Sequence, residues 1–144
     1  ATDIVMPIKR GATRAISGAV RDAKLPGEAV DYINAHGTGT AANDKTECQA
    51  VREVFGAHAE DLMISSTKSM HGHLIGGTGA VELLACIMAV RDGIVAPTIN
   101  YAGPDPECDL DVVPNTARPA KVDVAISNAF AFGGLNAVLA LKGV

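Results

Sequence analysis

Apolar spacing switches repeatedly between the helical and the strand period within 144 residues, and this alternation is what most limits the architecture. It is the pattern of an α/β layer fold and excludes a helical bundle or a β-sandwich. From Gly11 to Leu25, Ala12, Ile16, Val20 and Leu25 fall near one face with Arg14, Arg21 and Lys24 elsewhere. That spacing predicts a helix stopped by Pro26-Gly27. Val30-Asp31-Tyr32-Ile33-Asn34-Ala35 alternates as a strand and delivers His36 at its carboxyl end. Asn43 or Asp44 is placed to cap a helix running to about Phe55, with Gly56 ending it. Leu62 to Ser66 reads as a second short strand with Lys68 just past its end. Gly76-Gly77-Thr78-Gly79 then opens a long apolar helix to about Arg91, closed by Asp92-Gly93. Beyond a proline-rich stretch from Pro97 to Pro119, Val122 to Asn128 and Ala137 to Leu141 read as strands joined by Phe130-Ala131-Phe132-Gly133-Gly134. Residues 1–144 contain no internal repeat or low-complexity linker and read as one domain.

Composition narrows the function classes. A hydrophobic fraction of 48% is enough for a genuine core. Charged residues make up 19% and the net charge is −4, too small and scattered for a nucleic-acid footprint or a membrane-surface helix. The longest apolar run, Ala80 to Val90, is interrupted by Glu82 and falls short of the about 20 residues a membrane span requires. The start, Ala1-Thr2-Asp3-Ile4-Val5-Met6, has neither a basic nor an apolar leader region, so no secretory signal is expected. Beginning at Ala fits a piece of a longer chain or removal of an initiator Met. Cys48, Cys86 and Cys108 are odd in number and widely spaced, which argues against a disulfide scaffold and a zinc knuckle. The cytoplasm is the default location.

The same element order places His36, Lys68, His73 and the Phe132-Gly133-Gly134 turn just beyond strand ends, where ligands and chemistry collect in α/β sheets. His36 precedes two Gly-Thr steps, so its ring can project into a cleft that a substrate approaches closely; a histidine that merely satisfies a strand-end carbonyl is the alternative. Thr38 and Thr40 present hydroxyls two residues apart, suited to the amides of a long polar ligand arm or to stabilising a turn. His71-Gly72-His73 with His36 could make three zinc ligands, but the Lys68 ammonium would repel a divalent cation. Glu82 sits among Ala80, Val81, Leu83, Leu84, Ile87 and Met88, where a carboxylate is costly unless paired. Lys68 is its nearest plausible partner, the alternative being an exposed glutamate on a helix edge. Phe130 and Phe132 suggest a gate for an apolar chain or core packing, and the N–H groups of the following glycines could form half of an oxyanion hole.

Four segments in order carry a resemblance: Asn34 to Thr40, Ser65 to Leu74, Pro97 to Asn100, and Ser127 to Gly134. Together they resemble the carboxyl-terminal half of a β-ketoacyl-acyl-carrier-protein synthase, an elongating condensing enzyme of fatty acid and polyketide assembly. The resemblance implies a thiolase-like layered α/β fold, a mixed sheet with packed helices, of which this chain is the second half and whose full-length subunits dimerise. It implies decarboxylative Claisen condensation of an acyl thioester with malonyl-acyl carrier protein, with His36 and His73 as the histidine pair that promotes decarboxylation. Lys68 and its partner Glu82 support them. Phe132 gates the acyl chain and contributes a backbone N–H to the oxyanion hole, Phe130, Gly133 and Gly134 line the substrate, and Thr38 and Thr40 hold the phosphopantetheine arm. No metal or resident cofactor is implied, since phosphopantetheine arrives on the acyl carrier protein.

The family's nucleophilic cysteine lies in the first half, within a run of small residues that none of Cys48, Cys86 or Cys108 has. Asp105, Glu107 and Asp109 are expected to raise the Cys108 thiol. His71 stands where fatty-acid members often have Thr, and Ala131 and Leu135 replace a common Gly and Thr at the gate. A specialised polyketide or lipid-modifying member suits those departures equally well. A non-catalytic chain-length-type partner subunit and a histidine-rich hydrolase or metal site are the other readings.

Overall fold

The computed structural model describes residues 6–144; residues 1–5, most of the stretch read above for a leader signal, lie outside the described residues. The helices are α1 Lys9–Asp22, α2 Ala41–Phe55, α3 Lys68–His71 and α4 Thr78–Asp92. The strands are β1 Tyr32–Asn34, β2 Met63–Ser65, β3 Ile94–Val95, β4 Arg118–Pro119, β5 Val124–Ala131 and β6 Leu135–Lys142. The main sheet has the order β2-β1-β5-β6, and β3 pairs with β4 separately. β1 runs parallel to both β2 and β5, whereas β6 returns antiparallel to β5.

Strand alternation sorts the side chains to two faces. Ile33, flanked in register by Ile64 and Ile126, points to a core completed by Ala12, Ile16 and Val20 of α1 and Ala50, Val51 and Phe55 of α2. Tyr32 and Ala125 point the other way, against Cys86 and Ala89 of α4. A central parallel strand covered on both sides is buried throughout, as β1 is. Each fully buried branched side chain contributes about 1.5–3 kcal/mol. The covering is uneven: α4 also carries Leu84, Ile87 and Met88, which are 58%, 40% and 53% exposed. Among the described residues no helix is long and apolar enough to cross a membrane.

Local departures from the sequence reading have physical causes. α1 ends at Asp22, short of Leu25, because Lys24 takes a left-handed conformation with φ 56° and reverses the chain before Pro26. α2 begins at Ala41 after Thr40, so Asn43 and Asp44 lie in its first turn instead of capping it. Asp44 is favourable there against the helix dipole, and the Asn43 amide reaches Asp44 and Glu47. Gly56 and Gly93 end α2 and α4 as expected. Gly93 is left-handed at φ 66°, and a Cβ on it would sit 3.3 Å from the Ala120 carbonyl oxygen. Gly76 and Gly77 form a 3₁₀ turn ahead of α4, which starts at Thr78. The final hairpin is longer than read: the pairs Phe130 with Asn136 and Ala131 with Leu135 extend the ladder, leaving only Phe132–Gly134 as turn.

Candidate active site

β1 delivers His36 to the carboxyl edge of the sheet, and Glu47 of α2 fixes it there. The His36 N–H donates to Glu47 Oε1 and the Gly37 N–H to Oε2, both at 2.9 Å. The Asn128 amide of β5 donates to the same Oε1 at 2.9 Å. Gly37 has φ 37°, and a Cβ on it would lie 2.5 Å from Ser66 Cβ. In that close approach the Ser66 hydroxyl donates to the Gly37 carbonyl at 2.6 Å. No other residue type fits this corner.

His73 approaches from the opposite side, past the end of α3. Its Nδ1 accepts from the Ile75 N–H at 3.0 Å and lies 3.1 Å from the Thr78 hydroxyl oxygen, which itself accepts the Leu74 N–H at 2.7 Å. A ring nitrogen accepting a backbone N–H leaves the proton of the neutral imidazole on the other nitrogen, so His73 presents Nε2–H outward. The His36 and His73 rings meet edge to face with centroids 5.7 Å apart. Phe130 packs on the other side of His36, also at 5.7 Å. Burial, then the Lys68 ammonium and His73, lower the His36 pKa to about 4, so its imidazole is neutral at pH 7.

Beneath the histidines the Lys68 ammonium is hydrogen-bonded and ion-paired with Glu82, both side chains almost fully buried. Burial pushes the Glu82 carboxyl up, and Lys68 opposes that shift. The exposed-glutamate alternative is thereby excluded. Glu82 Oε2 and Asn128 Oδ1 are buried without a protein partner. His71, the remaining histidine of this stretch, has both ring nitrogens occupied, Nδ1 by the Gly72 carbonyl at 2.8 Å and Nε2 by the Thr67 hydroxyl at 3.1 Å. Among the described residues no group of three or more His, Cys, Asp or Glu is arranged to hold a metal ion.

A cavity of about 540 Å³ adjoins this constellation, with Thr38, Lys68, His73, Thr98, Cys48 and Cys108 in its lining. The Thr38 and Thr40 hydroxyls stand 2.9 Å apart, brought together across Gly39, whose φ of 72° turns the segment. Phe132 lies in the β5–β6 turn, 72% exposed, with Gly133 left-handed at φ 74°; the phenylalanine against His36 is Phe130. Cys86 is fully buried, its thiol pushed up to about 12 by burial, and it donates to the Ile126 carbonyl. Cys48 and Cys108 are also raised, chiefly by burial. For Cys108 the acidic contributors are Asp105, Asp44 and Glu107; Asp109, expected among them, is not one and pairs with Arg52.

Glu47, Asn128, Ser66 and Thr78 escaped the sequence reading. Glu47 left a trace: Asn43, Glu47, Ala50, Val51 and Phe55 share the buried face of α2, where a carboxylate requires partners. Nothing in the sequence names Asn128, 81 residues away, as one of them.

Residues 1–102 match the family model described as β-ketoacyl synthase, C-terminal domain. The chain is 55% identical over 144 residues to nodulation protein E of Rhizobium sp. (strain N33), covering 100% of this chain and 36% of that protein. It is 56% identical over 137 residues to 3-oxoacyl-[acyl-carrier-protein] synthase 2 of Synechocystis sp., covering 95% of this chain and 33% of the relative. Among solved structures, a type II PKS ketosynthase bound to the hexaketide, in complex with its acyl-carrier protein, superposes with a TM-score of 0.96 at 36% identity, over 100% of this chain and 36% of that one. The chain therefore spans about a third of the length of such relatives.

Proposed function

The chain belongs to the β-ketoacyl synthase family, and from that premise we propose that it forms the histidine-bearing half of an enzyme that condenses an acyl thioester with malonyl-acyl carrier protein. The observation that carries this reading is the facing pair of imidazoles, His36 and His73, with ring centroids 5.7 Å apart. Among the described residues neither ring nitrogen of His36 has a hydrogen-bond partner, and His73 offers Nε2–H. Two such donors suit one thioester carbonyl oxygen.

When the malonyl carboxylate leaves as CO₂, the electron pair of the breaking C–C bond passes into the thioester as an enolate. Its charge collects on the oxygen that both imidazoles face, so their hydrogen bonds strengthen as the transition state forms. Lys68, immobilised by Glu82, adds a positive field without being a nucleophile. The enolate carbon then attacks an acyl group carried as a thioester on a cysteine of the other half, forming the new C–C bond and releasing the thiolate. Phe132 gates that acyl chain, its N–H serving the oxyanion; Phe130, Gly133 and Gly134 wall it, and Thr38 and Thr40 take the phosphopantetheine arm. The raised thiols of this chain support placing the acyl acceptor elsewhere.

The missing half and a second subunit have an apolar face to occupy, formed by Leu84, Ile87 and Met88 of α4 with Leu135 and Leu139 of β6. The working enzyme is a cytoplasmic homodimer served by an acyl carrier protein. Its pathway is fatty acid synthesis or, as the likeness to a type II PKS ketosynthase supports, a specialised polyketide. Intact His36, Lys68 and His73 disfavour a purely chain-length-setting partner.

The test is CO₂ release from malonyl-acyl carrier protein by the longer protein containing this chain. His36→Ala and His73→Ala should each reduce it by about 100-fold or more, with transfer of an acyl group onto the enzyme cysteine retained. Undiminished decarboxylation in both variants would overturn the assignment. The 144-residue chain alone, incubated with an acyl-carrier-protein thioester, should show no covalent acyl adduct by intact mass.

A further inference from the structure

We propose that Cys48 and Cys108 form a dithiol couple that oxidises to a disulfide and staples α2 to the loop walling the cavity. This goes beyond the reaction class and stands independently of it. Lys45, Cys48 and Arg52 lie on one face of α2 at i, i+3 and i+7. Lys45 pairs with Glu107, and Arg52 pairs with Asp109 at 2.9 Å. The residues immediately before and after Cys108 are thus clamped to that face on either side of Cys48, which brings the two thiols close enough for each to shift the other's titration. Both are free, partly accessible and in the lining of the same cavity.

A small two-electron oxidant, a peroxide, completes the chemistry. One sulfur, as thiolate, attacks a peroxide oxygen; the O–O bond breaks, water leaves and a sulfenic acid forms. The second sulfur attacks that sulfur, the S–O bond breaks, the S–S bond forms and a second water leaves. Two thiols are oxidised by two electrons as one hydrogen peroxide is reduced to two waters. Burial and the acidic neighbours raise both thiols, so the step is slow at neutral pH and selective for the thiol clamped nearby by the two flanking ion pairs. Cys86, fully buried in the core on the opposite face of the sheet, takes no part.

Hydrogen peroxide should convert the purified protein to a form lighter by two hydrogens, with a peptide linking Cys48 to Cys108 and Cys86 still alkylatable after denaturation. Dithiothreitol should restore the original mass. Closing a loop of about 60 residues should raise the melting temperature by roughly 4 °C or more. Cys48→Ser and Cys108→Ser, each checked for folding by circular dichroism, should abolish both the link and the rise. Separate sulfinic acids on the two cysteines, links only between different molecules, or a Cys48–Cys108 link that forms only in denaturant would each overturn the proposal.

Discussion

His36 and His73 face each other across one gap, yet they are held by opposite means. His36 is buried, and its backbone hangs from Glu47, a carboxylate that also grips Asn128 on another strand. His73 is exposed, and its ring is clasped within five residues by Ile75 and Thr78, on a segment whose Leu74 and Ile75 are 46% and 82% exposed. One imidazole is part of the fold's interior; the other rides on a local clasp beside an uncovered apolar surface. Long-range support fixes a position before any ligand arrives, whereas a local clasp fixes orientation and leaves placement to whatever covers the segment.

The largest effect should come from the element beneath both arms. Glu82→Leu leaves the Lys68 ammonium buried without its counter-ion and should destabilise the chain by about 3–5 kcal/mol in urea denaturation. Adding Lys68→Met should recover most of that loss, since an apolar pair of similar volume avoids the desolvation of both charges. A double variant as unstable as the single one would mean the pair is not what holds α3 to α4.

Glu47→Gln breaks the His36 arm alone. An amide offers one acceptor oxygen where the carboxylate gave two, and its NH₂ group confronts a backbone N–H or the Asn128 amide. The expected cost is about 2–3 kcal/mol. Hydrogen exchange should speed up at the His36 and Gly37 amides while those around His73 stay unchanged. Equal loosening of both arms would end the distinction between them.

Acid should separate the histidines without mutation. The folded His36 pKa, about 4, lies below its ordinary 6.5, so between those values the unfolded chain binds the proton that the folded one refuses. Stability contributed by His36 is full above about pH 6.5 and falls as the pH drops toward 4, by roughly 2 kcal/mol after allowance for solvent near the ring. His36→Asn should flatten that part of the pH profile. NMR titration should find the His36 ring neutral at pH 5.

These two arms also mark how far the sequence could be read. Local chemistry was legible: the alternating periods placed β1, α2, β2 and α4, the glycines ended the helices, and an isolated glutamate on an apolar helix found its lysine 14 residues away. Placement of His36 and Lys68 followed from the ends of β1 and β2, whereas His73 lies beyond the short helix α3, which the sequence reading did not foresee. The carboxylate under His36 was not legible, because its partners come from β1, α2 and β5 and no sequence spacing encodes such a meeting. Cys48 beside Cys108 was hidden in the same way. Strand extent was misjudged where pairing partners, rather than intrinsic preference, carry Phe130 and Ala131 into the ladder.

The smallest expected effect tests the local clasp. Thr78→Val keeps the shape of the side chain but removes the hydroxyl that accepts the Leu74 N–H and touches His73 Nδ1. Only one turn loses a hydrogen bond, and although Thr78 is buried, Leu74, whose N–H is freed, is 46% exposed, so the cost should be about 1 kcal/mol. Orientation should suffer more than stability. With Nδ1 supported by the Ile75 N–H alone, the ring is freer to rotate, and its NMR signals should broaden or report mixed tautomers while those of His36 stay sharp. On the proposed reaction, the loss in the longer protein should fall on malonyl decarboxylation rather than on acyl transfer to the cysteine, because only the former would use Nε2–H aimed at an enolate oxygen. A Thr78→Val enzyme with both half-reactions slowed equally would show that the clasp supports the segment and not the imidazole.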